Sequence, residues 1–100
     1  MSDKLKFSAC VRMGGEVYRW RRGAPTQRPI RGRLKLGEWL SVPTLFGRVK
    51  AKVTKTDKYH AQAESDGLLC WLTFAEDDRR CWTCASAGPV NMKVAVKIVE

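Results

Sequence analysis

Two groups of residues in this 100-residue chain have the types and spacing to do chemistry. The first holds the thiol and metal candidates. Cys81-Trp82-Thr83-Cys84 is a CxxC, and Cys70 with His60 could complete a set of four zinc ligands. Zinc sites present paired knuckles at recognised spacings, and here the second pair is missing. On a strand, residues three apart point to opposite faces, which also argues against chelation. A redox role would want the first cysteine at a helix N-terminus, where its thiolate is stabilised. The four cysteines, Cys10 included, are therefore expected to be free thiols acting as small apolar residues, with no disulfide, no metal and no cofactor. His60 has no carboxylate or nucleophile tied to it by spacing, and Glu76-Asp77-Asp78 occupy an expected turn, where solvated acids are ordinary. Gly14-Gly15 lacks the lysine and following helix of a phosphate-cradling loop. No enzyme is expected.

The second group is cationic and aromatic. Residues 1–58 carry fifteen of the nineteen Lys and Arg and only four acids, whereas 59–100 are slightly acidic. Net charge bears on solubility, association and partners rather than on fold, so the natural partner of such a half-chain is anionic. Tyr18-Arg19-Trp20-Arg21-Arg22 interleaves rings with cations, and Arg28, Arg31, Arg33 and Lys35 follow. Arginine grips phosphate through a planar fork and stacks on bases, and an exposed tryptophan adds a stacking surface worth roughly 1–3 kcal/mol per base. Arg48, Lys50 and Lys52 alternate with Val49, Ala51 and Val53, so they stand roughly 6–7 Å apart on one face of a strand. That spacing is close to the phosphate repeat of a single strand. A solvated face and a packed Trp20 are the bland readings of the same residues.

The elements that must position these residues read as β. Leu5, Phe7, Ala9 and Val11 alternate with polar residues, Met13-Gly14-Gly15-Glu16 is a turn, and Val17 to Arg22 returns, so 4–22 is expected to be a hairpin. Residues 23–32, with two prolines and two glycines, are expected to form an exposed, mobile loop. Arg33 to Val42 is a strand weakened at Gly37, and Pro43 with Gly47 brackets a turn. Strands follow at Arg48–Val53, Tyr59–Glu64 and Leu68–Phe74, with a turn at Ser65-Asp66-Gly67. Arg79 to Cys84 pairs back across Ala75–Asp78, setting Trp71 opposite Trp82. A helix over 74–87, with Thr73 and Glu76 as a capping box, competes with that hairpin and has the poorer apolar stripe. Met92, Val94, Val96 and Ile98 make a last amphipathic strand. The expectation is an all-β chain, a single small barrel domain over 1–100, with 1–35 as hairpin and basic loop and 36–100 as barrel.

Gly37-Glu38-Trp39-Leu40-Ser41-Val42, then Gly47-Arg48-Val49-Lys50-Ala51-Lys52-Val53, then Leu72-Thr73-Phe74 with Glu76-Asp77-Asp78 before Arg79-Arg80-Cys81-Trp82, resemble an SH3-like barrel of the KOW or Tudor type over roughly residues 36–98. Ala51 stands where KOW sequences usually carry glycine. The resemblance implies a strand entering the barrel, a basic strand after a glycine turn, and an acidic hairpin ending in an aromatic; an OB-like barrel is the alternative. It implies a binding module, and a fold alone does not fix the ligand.

The expected activity is non-enzymatic nucleic-acid binding through the phosphate backbone, with low sequence specificity and a slight preference for single strands over duplex. Arg19, Trp20, Arg21, Arg22, Arg28, Arg31, Arg33 and Lys35 form an adaptable arm beside the platform of Arg48, Lys50 and Lys52. The alternative is an accessory or inhibitory factor, of the phage or plasmid kind, that sets its basic face on an acidic or nucleic-acid-binding surface of a host protein. A homodimer through an exposed β-edge is compatible with both. No apolar stretch suits a secretory signal or a bilayer span, so a soluble, cytoplasmic protein without a membrane partner is expected.

Overall fold

The computed structural model describes residues 11–12, 15–45 and 47–89. Eight strands are present: β1 Val11–Arg12, β2 Tyr18–Arg21, β3 Ala24–Pro29, β4 Trp39–Thr44, β5 Gly47–Thr56, β6 His60–Ser65, β7 Leu68–Ala75 and β8 Cys81–Pro89. They form one sheet in the order β1-β8-β7-β6-β5-β4-β2-β3, with every pair antiparallel. No helix occurs among the described residues, and so none is long and apolar enough to cross a membrane. The chain is all-β, as its alternation implies, and 74–87 is hairpin rather than helix.

The run β4 to β8 is a meander whose inner face follows from period-two patterning. Leu40 faces Ala51, Val53 faces Ala63, Ala61 faces Leu72, and Leu72 faces Cys84. All are buried in one core with Val17, Ile30, Leu34 and Trp82. Alanine at 51, 61 and 63 keeps the inner face of β5 and β6 shallow, and Trp82, fully buried, supplies the bulk that fills it. The β6–β7 hairpin turns on Asp66-Gly67, both with positive φ (42° and 82°). That is the geometry a two-residue hairpin loop requires and an Asp-Gly pair accepts at little cost.

The sheet closes on itself. Just ahead of β2, Glu16 bridges Thr83, the Val17 N–H donates to the Trp82 carbonyl at 3.0 Å, and the Cys84 N–H donates to the Gly15 carbonyl at 3.2 Å. The end of β3 enters the same seam: Ile30 N–H donates to Val17 and Trp82 N–H to Ile30, at 2.9 and 3.2 Å. Strands β2, β4, β5, β6, β7 and β8 thus return to their start as a small barrel, with the β2–β3 hairpin projecting from it. A Cβ at Gly15 would stand 2.9 Å from Cγ of Pro43, a rigid ring on β4. Gly15→Ala is therefore expected to destabilise by about 1–3 kcal/mol, read as a lowered denaturation midpoint with unchanged m-value.

Four local expectations are corrected. The arms of the anticipated 4–22 hairpin do not pair among the described residues: Val11 and Arg12 lie against Ala87 and Ser86 of β8, while β2 pairs with β3 and β4. The loop over 23–32 is largely strand β3. It is the last strand of the order and pairs only with β2, so Pro25 and Pro29 remove donors that a neighbour on the open side would need. Residues 33–38 are not strand; they turn at Leu36-Gly37, and β4 starts at Trp39. Trp82 faces Phe74, and Trp71 faces Ser86, because the β7–β8 loop is longer than a symmetric closure and a bulge follows Trp71. Lys4 to Cys10 and the strand through Met92 and Ile98 lie outside the described residues.

Candidate functional site

The outer face of β5 carries the expected stripe. Arg48, Lys50 and Lys52 are exposed while Ala51 and Val53 are buried. Register then decides their neighbours: Pro43 lies beside Arg48, Ser41 beside Lys50 and Trp39 beside Lys52, and Tyr18 of β2 lies on the far side of Ser41. Trp20 follows Tyr18 on the same face by alternation.

Cations and rings interleave across these three strands. The Lys50 ammonium lies between two indoles, 5.3 Å from the Trp20 centroid and 5.1 Å from that of Trp39. Lys52 reaches Trp39 from its other neighbour position at 6.0 Å. Arg48 stacks over Tyr18 at 4.8 Å, and its Nη1 donates to the Ser41 hydroxyl at 3.2 Å. That cover explains why Ser41, on the outer face, is fully buried. An exposed cation–π contact contributes about 0.5–1 kcal/mol. Its larger effect here is to hold long side chains in place on the surface. Trp39 keeps 42% of its surface in solvent.

The face has a border. Lys52 is in register with Glu64, and a shallow cleft beside Trp39, Lys50 and Lys52 ends on Glu64 and Asp66. Neither acid forms a salt bridge; among the described residues only Arg19–Glu38 and Arg79–Asp77 do. The margin of the face toward β6 is therefore acidic, and its cations and rings lie on β5, β4 and β2.

The arm divides. Arg19 leaves β2 on the opposite face and pairs with Glu38, whose other carboxylate oxygen accepts the Lys35 N–H at 3.0 Å. That pair ties the 33–38 connection to β2 and neutralises Arg19. Arg21 and Arg22 flank the β2–β3 turn and Arg28 lies on β3, all exposed. Arg31, Arg33 and Lys35 are exposed along the β3–β4 connection, where Arg33 lines a different cleft at one end of the barrel. Trp20 is half-buried, neither sealed in the core nor free.

Tyr18 and Trp39 belong to this face and were not among the expected site residues. Trp39 could have been found, since it is next to the inward Leu40 and therefore outward. The contact between β2 and β4 could not, because it joins segments separated by a hairpin and a turn.

Cys70 and Cys84 lie buried on adjacent strands, and Cys81 is buried on the other face of β8 beside Glu16. The hydrogen bond to Cys84, and then burial, push the Cys70 thiol well above its usual range; burial first, then Glu16, raises Cys81. All three are free thiols. His60 is exposed on β6. No group of three His, Cys, Asp or Glu among the described residues could hold a metal ion.

Fold and face together define a small antiparallel β-barrel with a cation–aromatic surface on three adjacent strands. No family model, curated protein or solved structure matches the chain significantly.

Proposed function

We propose that the β2–β4–β5 face binds nucleic acid, with Lys50, Lys52 and the free donors of Arg48 on phosphates and the exposed face of Trp39 under a base. The observation that carries this reading is the placing of Lys50 between Trp20 and Trp39: one fixed cation flanked by two stacking surfaces suits a chain that alternates phosphates with bases. The exposed arginines of the β2–β3 hairpin, Arg21, Arg22 and Arg28, extend the positive surface along the same backbone. The SH3-like resemblance, which implies a binding module, agrees with it. Contacts to backbone and to any base face carry little sequence information, so specificity is low. Accessible rings favour single strands.

Titration of labelled single-stranded and duplex oligonucleotides at about 50 and about 200 mM salt tests the reading. The expected result is affinity for both, tighter for the single strand, falling at least about tenfold across that interval as released counterions are opposed. Binding that is absent or indifferent to salt removes it. A protein partner with an acidic surface would give the opposite pattern in a pull-down, surviving nuclease treatment of the lysate.

A further inference from the structure

A second cationic and aromatic site lies at the end of the barrel where the β3–β4 connection, the β5–β6 turn and the β7–β8 turn meet. It is a cleft of about 350 Å3 lined by Arg33, Lys58, Tyr59, Phe74, Glu76 and Arg80, with the backbone of Gly32. Its size falls at the lower end of small-ligand sites, which run from about 300 to 1,000 Å3. Its aromatic wall is fixed from behind. Phe74 meets the buried Trp82 edge-on, with centroids 5.6 Å apart, and its N–H donates to the Tyr59 carbonyl at 2.9 Å. The Trp82 indole N–H donates to the Gly32 carbonyl. Tyr59 is 38% exposed, with the Lys58 ammonium 5.2 Å from its centroid.

The charges here are uncompensated in a way those nearby are not. Arg79 is neutralised by Asp77, yet Arg33, Lys58 and Arg80 form no salt bridge among the described residues and face Glu76, with Asp57 in the adjoining cleft beside Arg33 and Lys58. Arg80 also holds a left-handed backbone, φ 47°, where glycine would be the unstrained residue. A strained position that carries a cation beside an open cleft is the kind of feature a ligand accounts for.

We propose that this cleft binds a nucleoside 5′-monophosphate unit, either free or as the phosphorylated end of a strand, with the base against Tyr59 and Phe74 and the phosphate on Arg33, Lys58 and Arg80. Three convergent cations suit a terminal phosphate, whose charge approaches two at neutral pH, better than the single charge of a phosphodiester. The site is separate from the β5 face and does not depend on it.

Calorimetric titration with AMP, adenosine and inorganic phosphate tests the proposal. AMP should bind at least about tenfold more tightly than either fragment, because ring and phosphate are engaged together. Arg80→Gly should weaken AMP about tenfold without lowering the unfolding midpoint, since it relieves the left-handed backbone while removing a charged donor. Tyr59→Ala should weaken AMP toward inorganic phosphate, and Lys55→Ala, at an exposed cation outside both sites, should leave AMP binding unchanged. AMP binding no tighter than inorganic phosphate, or untouched by Arg80→Gly, overturns the proposal. Competition with 5′-phosphorylated and 5′-hydroxyl oligonucleotides of one sequence identifies the source: preference for the phosphorylated end assigns a strand terminus, and equality of the two assigns the free nucleotide. Strand binding that persists without AMP binding removes this inference alone. AMP binding without strand binding removes the reading of the β5 face alone.

Discussion

Trp82→Ala is expected to destabilise the protein by about 3–5 kcal/mol, the range for emptying a buried aromatic site. Trp82 is fully buried and joins three parts of the structure. Its backbone closes the barrel seam with Val17 and Ile30, its indole N–H satisfies the Gly32 carbonyl, and its ring supports Phe74. The shallow alanines around it, Ala51, Ala61 and Ala63, cannot extend into the void. Against a total stability of about 5–15 kcal/mol for a domain, such a loss removes a large share of what holds the fold together. Trp82→Phe separates the contributions: it keeps most of the ring volume and loses the hydrogen bond to the exposed Gly32 carbonyl, worth about 0.5–1.5 kcal/mol. Urea unfolding followed by far-ultraviolet circular dichroism measures both. A loss under about 1 kcal/mol for the alanine variant would mean that the seam is held elsewhere.

The triple variant Arg48→Ala, Lys50→Ala, Lys52→Ala is expected to lose roughly a hundredfold in single-strand affinity at low salt, and to lower the slope of log affinity against log salt by about 2. Each neutralised phosphate contributes about 0.7 to that slope on a single strand, so the slope counts contacts independently of any change in shape. These side chains are exposed, and removing them trades weak cation–π contacts for relief of mutual repulsion, so the unfolding midpoint should move little. Trp39→Ala separates stacking from charge. Single-strand binding should weaken about tenfold, duplex binding by far less, and the salt slope should stay where it was. Equal losses on single strand and duplex would show that Trp39 acts by holding Lys50 and Lys52 in place rather than by accepting a base.

What could be read from residues alone was the local alternation. Arg48, Lys50 and Lys52 stand out from Val49, Ala51 and Val53 because β5 is flanked on both sides and its two faces meet different surroundings. The Asp66-Gly67 turn and the β7–β8 hairpin were legible for the same reason, each being settled within a few residues. Strand β3 was not, since two prolines in six residues describe a loop unless the segment lies at the margin of a sheet, and position in a sheet is a non-local property. The register of Trp82 failed because it depends on loop length, and that of Trp71 on a further bulge that no side chain announces. At the site, charge was visible and pairing was not. Nothing in the spacing of Arg19 and Glu38 says that they neutralise each other, or that Arg33, Lys58 and Arg80 share one end of the barrel.

The seam between residues 15–17 and 82–84 has a kinetic meaning. A nascent chain can form its central hairpins early, but residues 15–17 lack their β8 partners until residues 82–84 have left the ribosome. Closing a loop of that length makes contact order high, and the last step of folding is expected to take milliseconds or longer. During that interval β2 is already paired with β3 and β4, and the edge left open is that of β8 at residues 82–84.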